Sequence, residues 1–189
     1  MPLIDALDAK TEDVGLFITW QADPQLPGPV TSTVALSAAT FRVDRFEVQS
    51  DANGPTSRVR FPLIWNLEDK PAAETFPEAP PGLYSRISIT LGGFFANSYE
   101  LEGTWLDAGK ARPFRISDFA TVKATCETSK RLEAGGAARI ALVLDLEEAL
   151  AGVDFKRVRE INGRLELANG DPQLPKFRER LRDAFHISD

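Results

Sequence analysis

Alternation of apolar and polar positions dominates this chain. In Pro80-Pro-Gly-Leu-Tyr-Ser-Arg-Ile-Ser-Ile-Thr-Leu91 a Pro-Gly turn launches a strand that puts Leu83, Ile87, Ile89 and Leu91 on one face and Tyr84, Arg86, Ser88 and Thr90 on the other. Near the start, Val14, Leu16, Ile18 and Trp20 share a face with Phe17 opposite, the pattern of a central strand covered on both sides for part of its length. Asp23-Pro-Gln-Leu-Pro-Gly-Pro29 is too rich in proline to donate ladder hydrogen bonds and reads as a loop. From Val34 to Val48 the apolar positions run Val34, Leu36, Ala38, then Phe41, Val43, then Phe46, Val48. The parity switches twice, which predicts bulges or bends in one extended run.

Asp51-Ala-Asn-Gly-Pro55 predicts a hairpin, because Asn-Gly tolerates the positive φ of tight turns, and the returning strand would bury Val59, Phe61, Leu63 and Trp65. The proline-rich stretch 68–81 has no periodicity and suits an irregular crossover. Tyr99, Leu101, Gly103 and Trp105 then alternate with Glu100, Glu102 and Thr104, and Asp107-Ala-Gly-Lys110 turns the chain towards Phe114 and Ile116. The segment 138–146 is the most apolar strand, and Glu147-Glu-Ala-Leu-Ala-Gly152 after it has helix formers with a glycine stop. Ile161, Leu165 and Leu167 are assigned to one strand face. Asp171-Pro-Gln-Leu-Pro175 opens a last helix in which Phe177, Leu181 and Phe185 recur at i, i+4 and i+8. The same five residues, Asp-Pro-Gln-Leu-Pro, also stand at positions 23–27, but their flanks differ and no tandem repeat is present.

These elements predict a mainly β chain: an antiparallel β-sandwich over residues 14–170, with one short internal helix. A 1–13 extension precedes it and a C-terminal amphipathic helix over 171–189 packs on it. With 43% apolar and 26% charged residues, the 189-residue chain has the composition of one folded domain. Its 28 acidic against 22 basic residues leave a net charge of −6, which opposes a nucleic-acid partner. The N-terminal Met1-Pro-Leu-Ile-Asp-Ala-Leu-Asp8 has no basic and apolar leader pattern, so the expected location is cytoplasmic, or the envelope or extracellular space if a leader was removed. No apolar run approaches the roughly 20 residues of a membrane-spanning helix.

Candidate chemistry is sparse. One cysteine, Cys126, excludes an intramolecular disulfide and a cysteine-rich metal cluster, and its alternation with Val122 and Ala124 makes it a core residue or, failing that, a reactive thiol. One histidine, His186, lacks the partners of a metal site or a catalytic triad. Neither metal nor cofactor is expected, and no catalytic residue is assigned. Glu100 and Glu102, roughly 7 Å apart on one strand face, form the best carboxylate pair for glycoside hydrolysis or, equally, a solvated edge. Asp145, Glu147 and Glu148 could offer oxygens to calcium without the loop to hold it, or load a helix N-terminus with negative charge. Tyr84, Tyr99 and Trp105 are candidate ligand-binding aromatics that would stack on sugar rings if exposed, or else core residues. Phe177, Leu181 and Phe185 are the candidate interface, should their stripe dock on a neighbour.

The strand over 34–48, the Pro-Pro-Gly-Leu-Tyr-Ser-Arg-Ile-Ser-Ile-Thr-Leu segment and Ile140-Ala-Leu-Val-Leu-Asp-Leu146 together resemble a widespread bacterial family of lipoprotein domains of unknown function. The resemblance spans about residues 34–167. It implies a transthyretin-like or immunoglobulin-like sandwich at the cell envelope or surface, with no catalytic residues to carry over. This chain departs from that family in showing neither a leader nor a lipobox cysteine and in ending in a helix. The functional expectation is a non-enzymatic binding or interaction module recognising protein or glycan. Its alternatives are a structural subunit or homo-oligomer, and a carboxylate-dependent glycoside hydrolase.

Overall fold

A computed structural model of the chain describes residues 14–51, 54–58, 63–66, 72–92 and 96–188. The strands in chain order are β1 (Gly15–Asp23), β2 (Gly28–Pro29), β3 (Val34–Ser50), β4 (Gly54–Arg58), β5 (Leu63–Asn66), β6 (Ala72–Phe76) and β7 (Gly82–Leu91). They continue as β8 (Tyr99–Asp107), β9 (Lys110–Asp118), β10 (Val122–Leu132), β11 (Ala137–Asp145), β12 (Arg159–Ile161), β13 (Arg164–Leu167) and β14 (Phe185–Ser188). Two α-helices interrupt the strands, α1 (Leu146–Leu150) and α2 (Leu174–Asp183). The fold is mainly β, with the strands in two sheets. The smaller has the order β14-β11-β1-β6, and the larger runs β10-β7-β3-β8-β9-β13-β12, with β2, β4 and β5 also paired to β3.

The long strand β3 organises the larger sheet. Phe41 lies opposite Tyr99 and Tyr99 opposite Asp118, whereas Val43 lies opposite Leu91 and Leu91 opposite Val122. Thus β7 and β8 follow one another along β3, and β9 and β10 follow one another along them. At the junction Arg42 uses both its backbone groups on one edge, its N–H donating to Ser98 O (2.8 Å) and its carbonyl accepting from Gly92 N (3.0 Å). Register shifts lie between Leu36 and Ala38 and between Val43 and Arg45; the second is the bulge predicted between Val43 and Phe46, whereas the first precedes Ala38, so that Ala39 is buried in place of Ala38. Gly103, opposite Leu36, admits no side chain, because a Cβ there would collide with the Ala35 carbonyl. The β8–β9 hairpin closes on Ala108 (φ 48°) and Gly109 (φ 87°), the two positive φ values of a two-residue primed turn.

Inner faces of both sheets feed one core. Trp20 of β1 packs on Phe46 of β3 at 4.8 Å between ring centroids, and Phe46 stacks on Phe76 of β6 at 6.2 Å, contacts worth about 0.5–1.5 kcal/mol each beyond their buried area. The core also takes in Leu174, Phe177 and Leu181 of α2. The Asp145 carboxylate caps α1 by accepting from Glu148 N (2.9 Å), so these acidic residues serve the helix start. Arg180 of α2 ion-pairs with Glu148 beside that start.

Several expectations need correction. Two strand pairs are parallel, β1 with β11 over nine positions and β13 with β9. The proline-rich crossover contains β6, which pairs antiparallel with β1 through backbone groups that side-chain periodicity does not reveal. Tyr84 turns inward and Leu83 does not, because Ser85 is an extra residue in the register against β3. Ile161 faces the same way as its partner Arg164 and is exposed, so it does not share a face with Leu165 and Leu167, which are buried. The C-terminal helix ends at Asp183, and Phe185 and His186 belong to β14, paired with Leu144 and Val143. Val59, Phe61, residues 1–13 and the turn residues Ala52 and Asn53 lie outside the described residues, as do the side chains of Leu63 and Trp65. Among the described residues no helix is long and apolar enough to cross a membrane.

Candidate functional site

The junction of the long strands opens on its outer side into a groove of about 690 Å³ lined by Thr40, Arg42, Ala96, Asn97, Glu100 and Phe119. Each residue gets there for a local reason. Thr40 and Arg42 are alternate positions of β3, and Glu100 stands opposite Thr40 on β8. Phe119 occupies the short bend between β9 and β10, where no strand pairing turns it inward, and its 55% exposure is the largest among the big apolar side chains described.

Charge is unevenly compensated around this groove. Glu100 accepts from Arg115 Nη2 (2.6 Å) and from Asn97 Nδ2 (3.1 Å). Arg115 Nε lies 4.0 Å from Glu102 Oε1, which also pairs with Arg164 Nη1 at 3.4 Å, and Arg164 Nε donates to Glu166 (2.6 Å). These side chains form a continuous ladder across the outer face of β8, β9 and β13. Arg42 stands apart: among the described residues its guanidinium makes no ion pair and no side-chain hydrogen bond.

This ladder decides the reading of the predicted carboxylate pair. Burial by itself would push the Glu100 carboxyl up, but hydrogen bonds from Arg115 and Asn97 and the charges of Arg115 and Arg164 outweigh it and hold the group below the ordinary range. A general acid requires the opposite shift, and Glu102 is engaged by the same two guanidinium groups. The pair does come together, but as a structural ion network.

The predicted aromatic platform does not assemble at the surface. Tyr84 is fully buried, its hydroxyl donating to Pro80 O (2.7 Å). Tyr99, 1% exposed, donates to Asp118 Oδ2 (3.0 Å) and packs on Phe177 at 5.5 Å. Trp105 is stacked on Phe155 (5.6 Å) and covered by Arg112, 5.9 Å from its ring centre. Strand alternation placed all three on the core side of a sheet, where no ligand reaches their faces. The predicted interface is likewise spent internally, since Phe177, Leu181 and Phe185 are all buried against their own domain.

A buried polar cluster holds α2 in place. Asp118, 1% exposed, accepts from Arg178 Nε (2.5 Å) and Nη2 (3.2 Å), from Tyr99 and from Ala120 N (3.2 Å). Burial raises the Tyr99 hydroxyl far above its usual range, and the Asp118 charge adds to that. With every oxygen of Asp118 satisfied, the arrangement is a structural anchor.

A second groove of about 600 Å³ lies between the edge strands β10 and β14 and includes Cys126 and His186 among its lining residues. The two are not an activated pair. Cys126 Sγ donates to Phe185 O (3.3 Å), and burial pushes the thiol up to about 11. Iodoacetamide at pH 8 is therefore expected to label native protein at least tenfold more slowly than urea-unfolded protein, followed by mass spectrometry; equal rates would remove the core assignment.

Arg42, Asn97 and Phe119 were missed by the sequence reading. Their one available signal was Phe119, an aromatic that falls in a break between two alternating runs and so has no strand face to join. Nothing in the pattern linked it to Arg42, 77 positions earlier in the chain. Compared with models of known families, with curated proteins and with solved structures, the chain matches none.

Proposed function

We propose that this protein is a non-enzymatic binding module whose ligand is a glycan held in the groove of Thr40, Arg42, Asn97, Glu100 and Phe119, at the bacterial envelope or surface as the family resemblance implies. The observation that carries the reading is the exposed Phe119 ring beside polar side chains in a groove of small-ligand size, roughly 300–1,000 Å³ for such sites. An exposed ring offers a face to sugar C–H groups, while amide and guanidinium groups take the hydroxyls. A peptide adding itself as a strand is disfavoured here. The Arg42 backbone on this edge is already bonded to Ser98 and Gly92, which removes the ladder such a peptide would use.

Calorimetric titration of the purified chain with a panel of neutral and acidic oligosaccharides tests the proposal. Saturable binding is expected, weakened about tenfold by Phe119→Ala, since loss of one aromatic contact of about 1.4 kcal/mol is a tenfold change. Failure of every sugar to bind, or binding indifferent to Phe119→Ala at unchanged melting temperature, would overturn it. The location is checked by protease added outside intact source cells: cleavage supports the envelope assignment, and a protected cytosolic pool overturns it.

A further inference from the structure

We propose that the groove selects a glycan bearing isolated carboxylates, as in a uronic acid, and that Arg42 is the residue that reads the carboxylate; this rests on the glycan-binding reading above. Four ionised groups lie in or beside the groove: Arg42, Glu100, Arg115 and Glu102. Glu100 is paired with Arg115 at 2.6 Å, and Glu102 lies between Arg115 at 4.0 Å and Arg164 at 3.4 Å. Each of these carboxylates thus has a guanidinium partner within the protein. Arg42 alone lines the groove without a counterion among the described residues, so the groove presents one uncompensated guanidinium to a ligand.

The stem of that guanidinium is fixed before any ligand arrives. Arg42 donates and accepts on one edge to Ser98 and Gly92 and pairs with Ile64 of β5 on the other, in the middle of the longest strand of the sheet. A planar fork on a fixed backbone matches a planar carboxylate through two parallel hydrogen bonds. Phe119 lines the same groove, so a ring carrying the carboxylate can place its apolar face on the aromatic while the acid meets Arg42. The net charge of −6 limits what kind of anion is suitable. Dense polyanions are repelled by the molecule as a whole, whereas a single carboxylate per sugar is accommodated by a local cation.

The test uses the full chain and three probes of matched length: a trigalacturonate, its methyl ester and a sugar phosphate. Wild-type protein is expected to bind the trigalacturonate at least tenfold tighter than the ester, with the difference shrinking between 50 and 500 mM salt. Arg42→Gln is expected to abolish that preference by weakening the trigalacturonate far more than the ester, and Arg42→Lys to restore only part of it. Phe119→Ala should weaken acid and ester alike. Because the Arg42 head group bonds nothing among the described residues, both Arg42 variants should melt as wild type does. Equal, Phe119-dependent binding of acid and ester would overturn the carboxylate assignment while leaving the glycan module standing. Tighter binding of the phosphate would overturn the carboxylate assignment in favour of phosphate. No binding of any probe, neutral sugars included, would overturn both readings.

Discussion

Replacing Arg178 by alanine should destabilise the protein by about 3 kcal/mol, the low end of the range for removing one partner of a buried ion pair. The low end applies because the Arg178 side chain is 32% exposed, while that of Asp118 is 1% exposed. Without Arg178 the Asp118 carboxylate keeps only Tyr99 and the Ala120 N–H, too little to offset its lost hydration. The pair also predicts an acid dependence. Burial alone would raise the Asp118 carboxyl, but hydrogen bonds from Arg178, Ala120 N and Tyr99 and the Arg178 charge outweigh it, so the folded value lies below the unfolded value of about 3.9. A carboxylate depressed on folding contributes its full stability above the unfolded value and loses it as pH falls through the folded value. Urea unfolding between pH 7 and pH 2.5 should therefore show a loss below about pH 4 that is smaller in Asp118→Asn. An Arg178→Ala protein with wild-type stability throughout would show that this anchor contributes nothing.

Leu181→Asp should unfold the protein rather than alter its association. Leu181 is fully buried on α2, so the variant loses a leucine's packing, typically about 2–5 kcal/mol for truncation, and adds a carboxylate with no partner. Together these approach the whole stability of an ordinary domain, about 5–15 kcal/mol. Exposed Glu179 on the same helix is the control, and Glu179→Ala should change stability by no more than about 0.5 kcal/mol. Circular dichroism and sedimentation separate the outcomes. A folded Leu181→Asp chain that differed from wild type only in oligomeric state would restore the stripe as an interface between subunits. The notion of α2 as a docking surface came from its sequence stripe alone, and a stripe of this kind shows that a helix face is buried without showing against what.

The same distinction explains which parts of the fold and the site were legible. Alternation located the strands at 14–20, 83–91, 99–105 and 138–146, because a half-buried strand must repeat every second residue, and the turn at Asp107–Lys110 was legible from residues that tolerate positive φ. The parity switch after Val43 even disclosed a bulge in β3. Tyr84 was misassigned, because one inserted residue at Ser85 reverses every face beyond it. The ladder of Glu100, Arg115, Glu102, Arg164 and Glu166 draws on three strands, of which only the first two adjoin through a short turn.

The two copies of Asp-Pro-Gln-Leu-Pro show the limit most directly. At 23–27 the segment carries two cis peptide bonds and follows β1; at 171–175 it leads into α2, with the Asp171 carboxylate accepting from Gln173 N (2.8 Å). Both copies bury their leucine, Leu26 and Leu174, in the same core. By itself the sequence determined a mainly β chain, the faces that most of its strands bury and a net charge of −6. Tertiary structure alone decided that β1 pairs in parallel with β11, that α2 is anchored on Asp118, and that Arg42, Asn97 and Phe119 line one groove. The physical reason is that periodicity and turn chemistry act between near neighbours in the chain, whereas the partner of a strand edge or of an isolated charge is fixed only when distant segments are packed together.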